Sequence, residues 1–275
     1  MSYLNLSENL VPLTISKLMK LKADGQKITS LTAYDASFAA LFDQMGIEVI
    51  LVGDSLGNVI QGHSSTIPVS IQEMAYHTAC VARGVKRAFI IGDLPFASYT
   101  STADAVKNSA LLMQSGAQMV KMEGGAHLCE MVEVLTHHGI PVCGHLGLTP
   151  QSVNTLGGFK VQGKSADAAK KLFEDALALE AAGAQLLVLE AIPSSLGAQI
   201  TQALKIPTIG IGAGPDCSGQ VLVMHDALGA FPGRKPKFVK DFLAPTGTIE
   251  KAITLYIEEV KSGAFPAPEH CFVAN

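Results

Sequence analysis

Three acidic residues follow three consecutive apolar segments of this chain. Asp54 ends the segment VILVGD, Asp93 ends AFIIGD, and Glu123 stands near the end of MVKMEG. If these segments are neighbouring parallel strands, about 4.8 Å apart, the carboxylates lie side by side and repel one another unless a cation joins them. Oxygen ligands without clustered His or Cys select a hard ion, Mg²⁺ first and Mn²⁺ second. The alternative is that each acid caps the helix after its strand.

Two basic residues accompany these acids. Lys121 is two residues from Glu123, so both side chains face the same side of one strand. A lysine inside a barrel needs an anionic partner. Either the neighbouring acids supply it, or the ammonium binds a substrate carboxylate or a developing enolate, and the two roles are compatible. His145, near the end of the segment PVCGHLG, is either a core histidine or part of the site.

A fourth acid, Glu190, ends the segment QLLVLE. In a barrel it lies across the mouth from the second, third and fourth strands, away from the proposed cation. A carboxylate held there is free to abstract a proton, which is the task of a general base. The alternative is again a cap on the following helix.

The glycine-rich stretch GIGAG, residues 210–214, ends the seventh apolar segment. Phosphate groups often bind near the seventh and eighth strands of α/β barrels. No Lys, Arg or Ser-Thr cluster adjoins this stretch, however. Close backbone packing, or room for a large ligand, is therefore at least as good an interpretation as a phosphate site.

A repeated pattern of strand and helix positions these residues. Eight apolar segments alternate with helical ones without a break in composition, which predicts a single domain around a parallel sheet. The sheet could be open or closed, but eight units in 275 residues favour a closed (β/α)₈ TIM barrel, and strands that are apolar throughout fit burial on both faces. The apolar segments are residues 28–35, 49–54, 88–93, 119–124, 141–147, 185–190, 207–214 and 221–226.

Further helices flank the repeat. Residues 13–22 predict an N-terminal helix that closes the bottom of the barrel, and residues 248–261 predict a helix in a C-terminal extension that ends in an irregular Pro-rich tail. The single domain therefore spans residues 1–275, with a core of about 26–230 and the extension and tail in about 231–275. Four glycines are expected to end helices in the left-handed conformation: Gly84, Gly116, Gly139 and Gly183.

Composition narrows the class of protein. Charged residues make up 16% of the chain, against about 25% in an average soluble domain, so part of the surface is expected to be covered in a homo-oligomer. The net charge of -4 gives no basic footprint for nucleic acid. No apolar run approaches the roughly 18 residues of a membrane span, and the first residues do not form a signal peptide. The five cysteines form no CxxC pair and indicate reduced thiols in a cytoplasmic protein.

Longer motifs run in order from about residue 17 to residue 270. They are TAYDASFA (32–39), VGDSLGNVIQGHSSTIPV (52–69), YHTACVARG (76–84), DLPF (93–96), VKMEGG (120–125), VCGHLGLTPQSVN (142–154), ALALEAAGAQLLVLE (176–190), IPTIGIGAG (206–214) and SGQVLVMHDALG (218–229). Through these motifs the chain closely resembles the ketopantoate hydroxymethyltransferase family.

The resemblance implies an enzyme with a (β/α)₈ barrel. Its reaction transfers a hydroxymethyl group from 5,10-methylenetetrahydrofolate, the co-substrate, to C3 of 3-methyl-2-oxobutanoate (2-oxoisovalerate), giving ketopantoate in pantothenate biosynthesis. It implies one Mg²⁺ per subunit, at a site formed by Asp54, Asp93 and Glu123. It also implies a large homo-oligomer, typically a decamer. The implied contacts to the 2-oxo acid are Asp54, Ser55, Asp93 and Lys121, with Glu190 as proton acceptor and His145 on the substrate side or behind it.

Two other functions fit the same residues. One is a Mg²⁺-dependent lyase or mutase of the isocitrate lyase type, which would use enolate chemistry on pyruvate-like 2-oxo acids without folate. The other is a metal-dependent binding or regulatory protein that kept the barrel and lost catalysis, since fold alone does not establish function. A hydroxymethyltransferase requires methylenetetrahydrofolate for turnover, whereas a lyase or mutase does not. An enzyme exchanges the C3 proton of the 2-oxo acid, whereas a binding protein that lost catalysis does not.

Overall fold

A computed structural model describes residues 11–233 and 235–274 of the chain. Eight parallel strands pair in sequence order and β8 pairs with β1, so the sheet closes into a barrel. The strands are β1 (Ile28–Thr32), β2 (Val49–Val52), β3 (Phe89–Asp93), β4 (Met119–Glu123), β5 (Val142–Gly147), β6 (Leu186–Glu190), β7 (Thr208–Ile211) and β8 (Gly219–Leu222). The prediction of a (β/α)₈ barrel is confirmed, and nearly every strand residue is buried.

Helices precede, connect and follow the strands of the barrel. They are α1 (Ile15–Ala23), α2 (Ala36–Met45), α3 (Leu56–Val59), α4 (Ile71–Gly84), α5 (Thr102–Gln114), α6 (Cys129–His137), α7 (Val153–Leu156), α8 (Ala166–Ala181), α9 (Ser194–Ala203), α10 (Met224–Ala227), α11 (Leu243–Thr246) and α12 (Ile249–Ser262). Short 3₁₀ turns occur at Ala126–Leu128, Pro150–Ser152 and Pro268–His270. No helix within the described residues is both long enough and apolar enough to cross a bilayer.

The two flanking helices lie where the sequence predicted them. Lys22, in α1, donates hydrogen bonds of 2.7–2.9 Å to three carbonyls at residues 201, 204 and 206, ahead of β7, so α1 covers the amino ends of the strands. In α12, the buried Tyr256 hydroxyl donates to the carbonyls of Ser30 and Gln220, in the neighbouring strands β1 and β8. The Pro-rich tail is anchored too, because Phe272 forms a parallel bridge with Pro193 at the start of α9.

The eighth strand begins and ends earlier than the apolar segment 221–226 suggested. Gly219 pairs with Ile28, and a Cβ at Gly219 would lie 2.3 Å from the Ile28 carbonyl oxygen, so this close approach to β1 requires a glycine. After Leu222 the chain turns into α10, whose Met224 N–H donates to Thr32 Oγ1 at 3.0 Å. Asp226 therefore lies in a helical turn and not at a strand end, because pairing with β1 sets the register.

Gly84 is the one helix-ending glycine that the sequence analysis placed wrongly. It is the last residue of α4, its φ is not positive, and the chain continues in an extended conformation at Val85. A Cβ at this position would lie 2.3 Å from the Ala36 carbonyl oxygen at the start of α2. Gly84 is thus required by the close contact of two helices, whereas the glycines at 116, 139 and 183 do take the left-handed conformation.

Replacing Gly84 with alanine is expected to destabilise the protein by about 1–3 kcal/mol, the usual cost of overpacking a tight contact. Helix propensity alone predicts the opposite sign, because alanine is favoured over glycine inside a helix by up to about 1 kcal/mol. Urea unfolding of both proteins measures the difference. A variant more stable than the wild type would show that α2 and α4 are not in this close contact.

Candidate functional site

The barrel brings the predicted acids together at the carboxyl ends of its strands. Asp93 ends β3 and Glu123 ends β4, while Asp54 follows β2 by two residues and donates its N–H to Asp93 Oδ2 at 3.3 Å. One carboxylate oxygen from each of the three lies within 4.8 Å of the others, and all three residues are buried. This is the arrangement that the strand ends predicted.

Strand register places Lys121 among these acids. Lys121 pairs directly with Asp93 across β3 and β4, and its ammonium donates to the Asp93 oxygens at 2.6 and 2.7 Å and to Glu123 Oε1 at 3.1 Å. Burial alone would lower the pKa of Lys121, but the carboxylates of Asp93 and Glu123 outweigh it and raise that pKa well above its usual value. Lys121 is therefore charged and held by two of the three acids.

His145 joins the acid cluster to Glu190. It pairs with Glu123 across β4 and β5; its Nδ1 lies 3.0 Å from Glu123 Oε1, and its Nε2 lies 3.2 Å from Glu190 Oε2 without good hydrogen-bond alignment. Burial alone would lower the pKa of His145, but Glu123 raises it to about 9. The strand order predicted Glu190 across the mouth from the acids, but only the imidazole ring of His145 separates it from Glu123, because β5 lies between β4 and β6.

Glu190 differs from the three clustered acids in its access to the mouth. Its side chain is 14% exposed, against 1% for that of Glu123. The residue after it, Ala191, has a φ of 46°, a left-handed conformation that costs a non-glycine residue about 1–3 kcal/mol. Backbone hydrogen bonds from Ala191 N–H to the Ile211 carbonyl, and from Gln162 N–H to the Ala191 carbonyl, hold this turn in place.

The electrostatics of the cluster favour a divalent cation. Burial, together with the nearby charges of Asp93 and Glu123, raises the pKa of Asp54 well above its usual value, so a third negative charge there is disfavoured unless a cation offsets it. Three carboxylates and one ammonium leave a formal charge of −2 when all are ionised. All the donors are oxygens, and ligands around one Mg²⁺ at about 2.1 Å stand about 3–4.2 Å apart. The three carboxylate oxygens lie within 4.8 Å of one another, and small side-chain rotations would bring them into that range. The three acids therefore fit a Mg²⁺ ion.

A small cavity of about 60 Å³ opens between this cluster and the opposite wall of the barrel. Its polar side is lined by the clustered acids, Lys121, His145 and Ser55, whose Oγ lies 2.9 Å from the hydroxyl of buried Tyr34. Its apolar side carries Val188, Ile211 and Val221. Glu190 also lines the cavity, on the same strand as Val188, so a small molecule there meets both charged groups and hydrocarbon.

Gln151 is the residue at this site that the sequence analysis missed. Its side-chain amide donates to Asp54 Oδ2 and its backbone N–H donates to Glu123 Oε2, at 2.9 and 3.0 Å. It stands in a 3₁₀ turn after β5 and not at a strand end, so the strand pattern gave no signal for it. The only signal was its place in the motif VCGHLGLTPQSVN.

The glycine-rich stretch 210–214, which begins in β7, is closely packed. A Cβ at Gly212, which has a φ of 64°, would lie 2.8 Å from the ring of Phe238. A Cβ at Gly214 would lie 2.5 Å from the side chain of Ser194. Close backbone packing is the interpretation that these contacts support.

Comparison of sequences finds relatives along nearly the whole chain. A family model described as Ketopantoate hydroxymethyltransferase matches residues 12–268. A 3-methyl-2-oxobutanoate hydroxymethyltransferase of Colwellia psychrerythraea is 61% identical over 260 residues, which cover 94% of this chain and 98% of that protein. Proteins of the same name from Shewanella frigidimarina and Janthinobacterium sp. are 60% and 59% identical, again over 94% of this chain and over 98% and 95% of their own lengths.

Solved structures share the barrel at low sequence identity. Phosphonopyruvate hydrolase in complex with oxalate and Mg²⁺ superposes with a TM-score of 0.60 and 14% identity, over 79% of this chain and 84% of that chain. Oxaloacetate acetylhydrolase in complex with 3,3-difluorooxalacetate superposes with a TM-score of 0.60 and 13% identity, over 94% and 99%. At these identities the similarity establishes the fold alone.

Proposed function

The chain belongs to the ketopantoate hydroxymethyltransferase family, and we propose that it transfers a hydroxymethyl group from 5,10-methylenetetrahydrofolate to 3-methyl-2-oxobutanoate, giving ketopantoate in pantothenate biosynthesis. The observation that carries this proposal is 59–61% identity, over 94% of the chain, to enzymes named for that acceptor. The cavity supports it, because its lining includes charged groups and hydrocarbon, and a 2-oxo acid with a branched alkyl group has a charged part and an apolar part.

We propose that Asp54, Asp93 and Glu123 hold one Mg²⁺ per subunit, because their oxygens, burial and residual charge fit that ion. When bound there, the ion would supply Lewis-acid chemistry, polarising the substrate ketone and stabilising the negative charge that develops on it. Asp54 and Asp93 also line the cavity, so the 2-oxo acid would bind against the same two residues.

The other polar residues would bind and deprotonate the substrate. Glu190 accepts the C3 proton: the C–H bond breaks, its electron pair becomes the enolate, and the carboxylate takes the proton. Lys121 keeps a positive charge beside the substrate carboxylate and the developing enolate oxygen. Ser55 Oγ and His145 complete the polar wall, and His145 also separates Glu190 from the acid cluster.

The folate opens to an iminium as one of its two C–N bonds to the methylene carbon breaks, with a proton taken up on that nitrogen. The enolate carbon then forms a bond to the methylene carbon, and the C=N electron pair passes to the other nitrogen. Water breaks the remaining C–N bond: its hydroxyl stays on the transferred carbon, its proton goes to the nitrogen, and tetrahydrofolate leaves. The apolar side of the cavity would hold the two methyl groups on C3. Val188, Ile211 and Val221 come from the strands β6, β7 and β8, opposite the acids. Hydrocarbon contacts favour a branched acceptor there, since each buried methylene contributes about 0.8 kcal/mol.

A turnover assay tests the function. The purified protein is incubated with 2-oxoisovalerate, methylenetetrahydrofolate and Mg²⁺, and ketopantoate is measured by mass spectrometry. Product is expected only when all three are present, and chelation of the metal with EDTA should abolish it. Cleavage or rearrangement of a 2-oxo acid without folate would instead identify a lyase or mutase. Tight binding of 2-oxoisovalerate without exchange of its C3 proton would identify a binding protein.

We further propose that the chain, as one domain, assembles into a homo-oligomer of the cytoplasm, and specifically a decamer. Its low charge content supports this, as do Tyr76 and Phe159, whose surfaces are 65% and 60% exposed in the single chain. Multi-angle light scattering on the purified protein is expected to give ten times the chain mass of 28.8 kDa. A monomer at micromolar concentration would contradict the proposed assembly.

A further inference from the structure

Gln151 is the only residue within the described ranges that is hydrogen-bonded to both Asp54 and Glu123. The side-chain amide reaches Asp54 Oδ2 at 2.9 Å, and the backbone N–H reaches Glu123 Oε2 at 3.0 Å. Asp54 stands beyond the end of β2, so the barrel ladder does not fix its position, whereas Glu123 is fixed by its pairing with His145. Gln151 therefore links the Asp54 carboxylate, which no strand pairing holds, to an acid whose position the sheet fixes.

This link acts against the charge repulsion in the cluster. The three buried carboxylates have oxygens within 4.8 Å of one another and repel, and Lys121 donates to Asp93 and Glu123 but not to Asp54. In the described part of the chain, the Gln151 amide is the only side-chain group that donates a hydrogen bond to the Asp54 carboxylate. Without that amide, the repelled carboxylate is free to turn away from the other two.

The orientation of the amide is fixed from its other side. Tyr99 donates its hydroxyl hydrogen to Gln151 Oε1 at 2.7 Å, while Gln151 Nε2 also donates to the Leu94 carbonyl at 2.9 Å. A flipped amide would set Oε1 against both the Leu94 carbonyl and the Asp54 carboxylate, which are acceptors only. The Tyr99 hydroxyl also accepts from the Glu123 N–H at 3.2 Å, so it is tied to the strand that carries a proposed ligand.

We propose that Gln151 is a positioning residue that sets the spacing of Asp54 and Glu123 for a divalent cation, with Tyr99 fixing the orientation of its amide. This inference rests on the proposed cation site. Outer partners of ligating carboxylates typically change metal affinity by about 10–100-fold when removed. The hydrogen bonds of Gln151 go to Tyr99, Leu94, Asp54 and Glu123 and not to Glu190, so its effect is expected in cation affinity first and in turnover only as a consequence.

The test is Mn²⁺ binding in the absence of substrates, followed by the loss of the free-ion signal in electron paramagnetic resonance. Gln151→Met keeps the length of the side chain and removes both polar groups, and it is expected to raise the Kd for Mn²⁺ by about 10–100-fold. Tyr99→Phe keeps the amide and loses only its orienting hydroxyl, so a smaller increase is expected. Saturating Mn²⁺ should restore most of the turnover of both variants.

Gln118→Met is the matched control. Gln118 precedes β4 at the opposite end of the barrel, where its amide accepts from Ile90 N–H and donates to the Leu13 carbonyl. Its replacement should lower thermal stability without changing the Kd for Mn²⁺. Wild-type affinity in Gln151→Met, or an equal loss in Gln118→Met, would overturn the positioning role.

If Gln151→Met fails to fold, Tyr99→Phe tests the positioning role in its place. An unchanged Kd for Mn²⁺ in Tyr99→Phe would then count against that role. A wild type that binds no Mn²⁺ would instead overturn the cation site itself.

Discussion

Replacing Glu190 with glutamine is expected to slow exchange of the C3 proton of 2-oxoisovalerate by about 10²- to 10⁴-fold, the usual contribution of a general base. The amide has nearly the same shape as the carboxylate, and its oxygen can still face His145 Nε2, which lies 3.2 Å from Glu190 Oε2. It cannot accept a proton at neutral pH. Binding of the 2-oxo acid should be retained, because the acid cluster and Lys121 are unchanged.

Exchange is measured by proton NMR in D₂O with Mg²⁺ and without folate, so that only the first chemical step is observed. Calorimetry on the same samples gives the affinity for 2-oxoisovalerate. Glu174→Gln, at an exposed position on α8, provides a matched change of acid to amide away from the mouth. Exchange at the wild-type rate in Glu190→Gln would remove this residue from the role of base.

Charges of opposite sign alternate along the buried rim of the barrel. Asp93, Lys121, Glu123, His145 and Glu190 follow one another across strands β3 to β6, at separations of 2.6–3.2 Å. Each buried charge in this series adjoins a group of opposite sign, as a low-dielectric interior requires. Asp54 stands at the end of the series next to Asp93, another acid, and a cation bound there would complete the alternation.

The site could be predicted from sequence to the extent that it depends on strand ends. Asp54, Asp93 and Glu123 were expected to meet because consecutive strands of a barrel are neighbours, and they do. Lys121 was expected to pair with the neighbouring acids, and it donates to Asp93 and Glu123, whereas His145 could be placed near the site but not assigned a partner. Whether a buried basic group pairs with one acid or two depends on side-chain reach and on register, which the sequence pattern leaves open.

What the sequence pattern missed depends on contacts between distant segments. Gln151 reaches Asp54 from a turn almost a hundred positions later in the chain, and no periodicity marks such a contact. The end of β8 was misplaced because apolar residues continue past Leu222, whereas pairing with β1 sets where the strand stops. Gly84 resembles a helix stop in sequence, and only the neighbouring helix shows that it is needed for close packing.

Replacing Asp93 with alanine is expected to abolish both cation and 2-oxo acid binding in the range where the wild type saturates. The loss should exceed the roughly 10–100-fold typical of an outer partner, because a proposed ligand itself is removed. The same change takes two hydrogen bonds from the Lys121 ammonium, which keeps only its contact with Glu123 at 3.1 Å. Breaking a buried ion pair from one side costs about 3–5 kcal/mol, so the thermal midpoint should fall as well.

Two further variants separate the loss of a ligand from the loss of stability. Asp93→Asn keeps the size of the side chain and one acceptor oxygen for Lys121, so it should fold more stably than the alanine variant while still losing most of the cation affinity. Asp167→Ala, at an exposed position in the first turn of α8, controls for removal of an acid as such. Calorimetric titrations with Mg²⁺, and with 2-oxoisovalerate in the presence of Mg²⁺, measure both affinities. If folded Asp93→Ala bound both with wild-type affinity, Asp93 would not be a ligand, and the alternating charges would serve only to stabilise the barrel.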